Sequence, residues 1–194
     1  LSITLSLCKS MGCSVIGRLH PVATIIVTNM TINTIIIIAN KKYNSFVKKQ
    51  DIHALESIEK IQNYNSYIFE KIYNKGLSKK VLDFGCGYGT FSEYLNNKFN
   101  LEVVGYEVNP EALKKLKVKG INTISSLDKY EASFDYIISM NVLEHIKNDE
   151  MVIKDMNTLL KDNGRLILYL PNSMKVWTDL DNLVGHYRRY TKKD

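Results

Sequence analysis

The sequence predicts an α/β protein organised as a doubly wound, mostly parallel sheet, and three observations predict it. Apolar runs of strand length alternate with segments of helical period from residue 81 to residue 170. At 81–95 a strand, a glycine turn and a helix follow one another, with Gly85, Gly87 and Gly89 between Val81-Leu82 and the helically spaced Phe91, Tyr94 and Leu95. The chain has 194 residues and is 45% hydrophobic, enough for one full core and no second large domain.

In chain order, residues 1–50 read as a leader without an assigned function, poor in acids and rich in β-branched residues. Val22 to Ala39 is apolar, but Thr24, Thr28, Asn29, Thr31, Asn33 and Thr34 interrupt it over barely the length of a span, so no membrane helix is expected. Lys9 and Arg18 lie far from any single apolar core, unlike a secretory signal. Ile25–Val27 and Ile35–Ile38 fit either two short paired strands or upstream sequence outside the fold. From Asp51, an available N-cap, Ile52, Leu55, Ile58, Ile61, Ile68, Phe69 and Ile72 recur at helical spacing, so a helix or helix pair precedes the core.

The net charge of +6 comes from lysines dispersed along the chain, which reads as a solvated surface rather than a nucleic-acid footprint. Cys8, Cys13 and Cys86 are odd in number and lack metal-ligand spacing, as in a reducing, cytoplasmic compartment.

Val81 to Phe91 carries the chemistry. Glycines at alternate positions let the backbone turn sharply and leave no Cβ between main chain and a ligand at the helix N-terminus. Gly85, Gly87 and Gly89 run Gly-x-Gly-x-Gly, and Thr90 stands where a dinucleotide fingerprint has its last glycine. A nicotinamide oxidoreductase is thereby disfavoured, and no Gly-Lys-Ser/Thr closes a P-loop. Leu101–Tyr106 forms the second strand and ends in Glu107. Asn109 and Pro110 start the next helix, with Ala112, Leu113 and Leu116 on its apolar side and Gly120 at its end. Glu107 then stands beside the glycine loop, where a carboxylate can accept from both hydroxyls of a ribose.

Ile121–Ile124 is the third strand, Phe134–Met140 the fourth, and Asn141-Val142-Leu143-Glu144-His145 closes the fourth with a short helical turn. Asp149 caps a helix whose buried face is Val152, Met156, Leu159 and Leu160, and Lys161–Gly164 turns into the fifth strand, Arg165–Leu170. The tail Gly185-His186-Tyr187-Arg188-Arg189-Tyr190 groups an imidazole, two guanidinium forks and two phenols. That set suits either clamping an acidic substrate or acceptor hydroxyl, or folding over the sheet.

With Asp83 two residues ahead of the first glycine, the loop resembles motif I of the class I, Rossmann-like S-adenosylmethionine-dependent methyltransferases, and Val-Gly-Tyr-Glu-Val-Asn-Pro resembles their second cofactor motif. Phe-Asp-x-Ile followed by Asn-Val-Leu-Glu-His is similar to the type 11/12 and quinone-biosynthesis branch, as are Asn63-Tyr64-Asn65 and the Gly-His-x-Arg-Arg-Tyr tail. The resemblance covers roughly residues 60 to 192 and places a methyltransferase domain at 51–194. It implies S-adenosylmethionine as cofactor, held by Asp83, Gly85, Cys86, Gly87, Gly89, Glu107 and Asn141, with Tyr64 and Tyr67 as a wall over it or as packing. Asn141 is expected to position the reactants, and His145 and His186 are the candidate bases. Relatives usually meet the adenine amino group with an acid after the third strand, where this chain has Ser125 and Ser126 before Asp128. Some quinone O-methyltransferases are thought to hold a divalent metal through Glu, Glu and His; here the first place is Asn141, so no metal is expected.

The implied activity is methyl transfer to a small-molecule acceptor, O-methylation of an acidic or saccharide-like one being preferred, with a methyltransferase-like scaffold lacking turnover as the alternative. A full domain of this class adds a helix and an antiparallel strand pair after the tail, so the sheet is expected to stop after its fifth strand and the chain to be a fragment.

Overall fold

The structure is a computed structural model that describes residues 14–20, 23–29, 62–74, 77 and 80–191. Its strands are β1 Ser14–His20, β2 Ala23–Asn29, β3 Lys80–Phe84, β4 Glu102–Tyr106, β5 Thr123–Ile124, β6 Phe134–Met140 and β7 Leu160–Pro171. The helices are α1 Gln62–Tyr73, α2 Thr90–Phe99, α3 Pro110–Val118, α4 Asp149–Leu159 and α5 Asp179–Leu183, with 3-10 turns at Leu143–His145 and Met174–Val176. One sheet runs in the order β1-β2-β7-β6-β3-β4-β5, and β3 to β7 are mutually parallel.

Period-two alternation makes the sheet two-sided. Val81, Val103, Ile138, Ile167 and Tyr169 pack against Ile68 and Phe69 of α1 and Phe91 and Leu95 of α2. Their chain neighbours Leu82, Val104, Ile137, Leu166 and Leu168 pack on the other face against Val152, Met156 and Leu159 of α4. Each such side chain contributes about 1.5–3 kcal/mol on burial, which is why the strands read as unbroken apolar runs. The sequence-derived α/β doubly wound class is the observed one. No helix among the described residues is long and apolar enough to cross a membrane.

Several boundaries move. The first strand runs past Val81-Leu82 through Asp83 and Phe84, so the loop opens at Gly85. The third strand keeps only Thr123 and Ile124, because β4 pairs with it only at Gly105 and Tyr106. Asn148, not Asp149, is the N-cap of α4: its side chain accepts from the Met151 N–H at 3.3 Å, which leaves the Asp149 carboxylate for other partners. The expected turn at Lys161–Gly164 lies inside β7 as a bulge, since Phe134–Tyr136 of β6 spans Leu160–Arg165 of β7.

At the other edge, β2 pairs antiparallel with β7 from Ala23–Pro171 to Asn29–Arg165, and β1 pairs antiparallel with β2. Ile25–Val27 therefore is a strand, but its partners are Ser14–His20 and β7; Ile35–Ile38 and the predicted helical stretch 51–61 lie outside the described residues. A β7 edge left open would expose a row of unpaired N–H and C=O groups, and β2 covers it. After β7 the described chain adds the second 3-10 turn, α5 and a single parallel bridge, Asn172 to Tyr190.

Because β3 lies between β4 and β6, strand order reverses between β3 and β6, the point at which sheets of this kind take ligands in the crevice beyond the carboxyl ends of their strands.

Candidate cofactor and acceptor site

Gly85 takes φ 75° and turns the chain out of β3. A Cβ on it would stand 2.5 Å from Val142 Cγ2, so only glycine lets the loop approach the segment after β6. Gly89, also at φ 75°, is closed in by Ile121 Cδ1 at 2.3 Å and Leu116 Cδ2 at 2.6 Å from the same hypothetical atom. Gly85 and Cys86 N–H groups donate to the Tyr106 carbonyl at 2.8 and 3.1 Å, which ties the turn to the end of β4. Cys86 is buried with Leu116 and Ile121, and burial pushes its thiol well above the ordinary range. Its side chain packs with theirs, and Leu113 lies against the same cluster.

Glu107 lies beside the loop, as its place after β4 predicts. One carboxylate oxygen accepts from the Gly87 N–H at 2.8 Å, and the other from Val108 and Asn109 N–H at 2.7 and 2.8 Å. Main-chain donors thus fix the carboxylate before any ligand arrives. The Asn109 side chain accepts from Glu111 and Ala112 N–H, and Pro110 follows it, so the expected cap positions α3 behind this carboxylate. Asp83 is buried at 3% exposure and accepts from Ser92 Oγ at 2.6 Å. Burial pushes it up to about 7, the Ser92 hydrogen bond opposing and the Glu107 charge adding to the shift. Two carboxylates beside a turn with glycine at every other position disfavour phosphate and suit a ligand that is cationic and bears hydroxyls.

Across the crevice Asn141 is exposed at the tip of β6, with φ 52° and its N–H on the Tyr169 carbonyl at 2.9 Å. Tyr169 in turn meets Tyr64 of α1 through their hydroxyls at 2.6 Å, so α1 reaches over the strand ends through Tyr64. Tyr67 is exposed beneath the Lys71 ammonium and does not share that contact. Ser126 and Asp128 hydrogen-bond each other at 2.8 Å beyond β5.

The 3-10 turn buries Glu144 completely, and neither of its carboxylate oxygens makes a hydrogen bond of good geometry among the described residues. Burial pushes it up to about 8, with its own main-chain N–H and the Arg189 charge offsetting only part. His145 and His186, 41 positions apart in sequence, meet edge to face with ring centroids at 4.6 Å. His186 Nε2 lies 4.0 Å from Glu144 Oε1, and its Nδ1 lies 2.8 Å from Asp181 Oδ1.

Asp181, which sequence reading missed, organises this side. It accepts from Thr178 N–H and Oγ1 at 2.8 and 3.2 Å and from Arg189 Nε and Nη2 at 2.7 and 2.8 Å. Burial alone would raise its carboxyl, but the bonds from Arg189, Thr178 and His186 hold it well below the usual carboxylate range. An ionised Asp181 can only accept, so it keeps the proton of neutral His186 on Nδ1 and leaves the Nε2 lone pair directed at Glu144. Burial nonetheless lowers His186, more than the Asp181 contact raises it. The Thr178-x-x-Asp181 spacing signals a helix start and could have marked Asp181 as a capping residue; its ion pair has no local signal.

Both arginines of the tail are engaged within the chain. Arg188 donates to the Ile146 and Lys147 carbonyls at 2.9 and 2.7 Å and pairs with Asp149 at 2.6 Å, and Tyr190 OH also donates to Asp149 at 2.9 Å. The Tyr187 N–H reaches the Glu144 carbonyl at 2.7 Å. The tail is a clasp on the 141–149 segment, so of the two sequence readings the geometry favours the folded-over loop above the anion clamp.

Comparison with known proteins agrees with this architecture. The chain is 28% identical over 145 residues to the cyclopropane-fatty-acyl-phospholipid synthase of Escherichia coli, a match covering 71% of this chain and 37% of that protein. It is 25% identical over 142 residues to a ubiquinone biosynthesis O-methyltransferase of Xanthomonas oryzae pv. oryzae, covering 68% and 56%. The chain thus spans between a third and three fifths of these relatives' length. In fold it resembles the phosphoethanolamine N-methyltransferase 2 of Haemonchus contortus in complex with S-adenosyl-L-methionine, with a TM-score of 0.56 at 17% identity, covering 79% of this chain and 42% of that one. The family model described as a methyltransferase domain matches residues 56–193, more than two thirds of the sequence, and the chain belongs to that family.

Proposed function

We propose that this protein transfers the methyl group of S-adenosylmethionine to a small-molecule acceptor in the reducing cytoplasm, with an acceptor oxygen preferred over nitrogen or carbon. The observation that carries the reading is the pair of carboxylates, Asp83 and Glu107, around a glycine turn at the strand-order switch point. Glu107 would take the ribose hydroxyls, Gly85, Gly87 and Gly89 the close approach of the methionyl part, and Asp83 the positive charge of the donor. Cys86 contributes by packing the loop, and Asn141 faces both cofactor and acceptor. The family membership and the cofactor bound by the Haemonchus contortus enzyme support the same assignment.

In the reaction the acceptor oxygen attacks the methyl carbon in line as the carbon–sulfur bond breaks, and sulfur keeps the electron pair as a neutral thioether. The acceptor proton leaves to a base, a role for which His186, oriented by Asp181, and its neighbour His145 are the candidates. Most of the acceleration comes from alignment of the two reacting atoms. The O-methylation preference rests on the Asn-Val-Leu-Glu-His resemblance and on the ubiquinone O-methyltransferase relative.

Calorimetric titration of S-adenosylmethionine, and separately of NAD, tests the cofactor assignment. The methyl donor is expected to bind and NAD not, and Glu107→Ala to weaken the donor at least about tenfold, or ~1.4 kcal/mol. A folded chain that binds neither ligand rejects this reading and leaves the scaffold alternative.

A further inference from the structure

We infer that Asp181 is a positioning residue of the methyl transfer: it fixes His186 as the Nδ1–H tautomer and so makes His186, of the two candidate imidazoles, the one whose Nε2 takes the acceptor proton. This assignment rests on the methyl-transfer reading and deepens it. Asp181 lies outside every motif read from the sequence, and only the fold shows what it does.

The residue holds the imidazole at two points. The His186 main-chain N–H donates to the Asp181 carbonyl at 2.9 Å, and His186 Nδ1 lies 2.8 Å from Asp181 Oδ1. Which atom carries the proton follows from the other groups on the carboxylate. Oδ1 also accepts from Arg189 Nε at 2.7 Å, and Oδ2 accepts from Arg189 Nη2, Thr178 N–H and Thr178 Oγ1 at 2.8, 2.8 and 3.2 Å. A carboxylate surrounded by such donors is ionised and can only accept, so the contact with the ring is a donation from Nδ1. The neutral ring then carries its lone pair on Nε2.

The surroundings leave that lone pair available. Glu144 Oε1, on the 3-10 turn, stands 4.0 Å from Nε2, beyond hydrogen-bond distance. The His145 and Trp177 rings meet the imidazole edge to face, with centroids at 4.6 and 6.5 Å. The Glu144 and Asp181 side chains are each 1% exposed, whereas 14% of the His186 side chain stays exposed, so the imidazole is the member of this line that an acceptor hydroxyl can reach. Burial lowers His186 more than the Asp181 contact raises it, and the Arg189 charge adds to the lowering, which favours the neutral form that a base needs.

In the step, the acceptor oxygen bonds to the methyl carbon, the carbon–sulfur bond breaks with its pair going to sulfur, and the acceptor proton passes to Nε2. Ionised Asp181, already in contact with Nδ1–H, stabilises the imidazolium without touching a reacting atom. The ring returns the proton to solvent when the product leaves.

The test uses the full chain with isotope-labelled histidine and without donor or acceptor. Long-range proton–nitrogen correlation above neutral pH reads the tautomer of each ring, and His186→Gln identifies the His186 signals. His186 is expected as Nδ1–H in the unsubstituted chain and in Asp181→Glu. In Asp181→Asn it should turn to Nε2–H, because a side-chain amide can donate to Nδ1. Diethyl pyrocarbonate, which acylates an unprotonated imidazole nitrogen, should then modify His186 at least about tenfold more slowly. With catechol as probe acceptor, kcat should fall at least about 100-fold in Asp181→Asn while donor affinity stays within about threefold, and Asp181→Glu should recover about tenfold of that loss. Circular dichroism shows which variants fold; should Asp181→Asn unfold, the tautomers of the unsubstituted chain and of Asp181→Glu decide. A proton on Nε2 in the unsubstituted chain, an unchanged tautomer in folded Asp181→Asn, or turnover by that variant within about threefold of the original would overturn the inference. The tautomer is read without donor, so its failure leaves the methyl-transfer reading standing, and that reading's own failure would appear in the calorimetry.

Discussion

The two walls of the crevice are built in opposite ways. On the glycine side the decisive contacts are main-chain groups within two consecutive strand–helix units, with Gly87, Val108 and Asn109 N–H groups holding Glu107. On the imidazole side they are side chains brought together across the chain, with Tyr190 on Asp149 at a separation of 41 residues and Arg188 on Ile146 at 42. A wall made of backbone follows from local pattern, whereas a wall made of side chains exists only once the tail has closed on the 141–149 segment.

The contrast can be broken most severely at Asp181. Asp181→Ala leaves Arg189 buried without its carboxylate and frees His186, so a loss of roughly 3–5 kcal/mol is expected in urea denaturation. Glycine-side geometry should survive, read as donor affinity within about threefold below the transition. A loss under about 1 kcal/mol would mean that the tail is not held by this ion pair.

Next in size is a pH effect centred on the other wall. The Asp83 carboxyl is raised from an ordinary 3.8 to about 7 on folding. The folded chain binds this proton more tightly than the unfolded one, so the associated stability is fully present below about pH 4 and is lost as pH rises to about 7, by roughly 2–4 kcal/mol. Asp83→Asn should flatten that part of the curve. Glu144, raised for the same reason, adds a slope of the same sign that the variant retains. A cationic donor favours ionised Asp83, so its affinity should rise with pH through about 7 and cease to do so in Asp83→Asn.

The smallest effect sharpens the comparison at Gly85 and Val142, where the two walls touch. Gly85→Ala adds a methyl group against Val142 and strains φ, at a cost of about 1–3 kcal/mol in stability. Val142→Ala in the same chain should restore part of that in a double-mutant cycle, because it removes the clashing atoms but not the backbone strain. Purely additive effects would show that the contact does not couple the walls.

The cofactor side was legible because its devices are local. Glycine spacing, the Asn109-Pro110 start of α3 and Glu107 at the strand end each reduce to backbone geometry over a few residues. The cap of α4 shows the limit of the same logic: Asn148 and Asp149 are both good caps, and Arg188 and Tyr190 draw Asp149 into the tail. The burial of the Cys86 side chain was illegible for a related reason, since a loop position does not reveal that Leu116 and Ile121 pack against it.

The sequence by itself determined the alternation of five apolar strands with helices, the glycine turn and the carboxylate beside it, because period, φ preference and capping act through near neighbours. Only the tertiary structure decided that Ala23–Asn29 pairs with β7, that Arg188 and Arg189 turn inward, and that Asp181 aligns His186 with Glu144. These contacts join segments whose separation leaves no periodic trace, and they form only when burial makes an unpaired edge or charge too costly to leave alone.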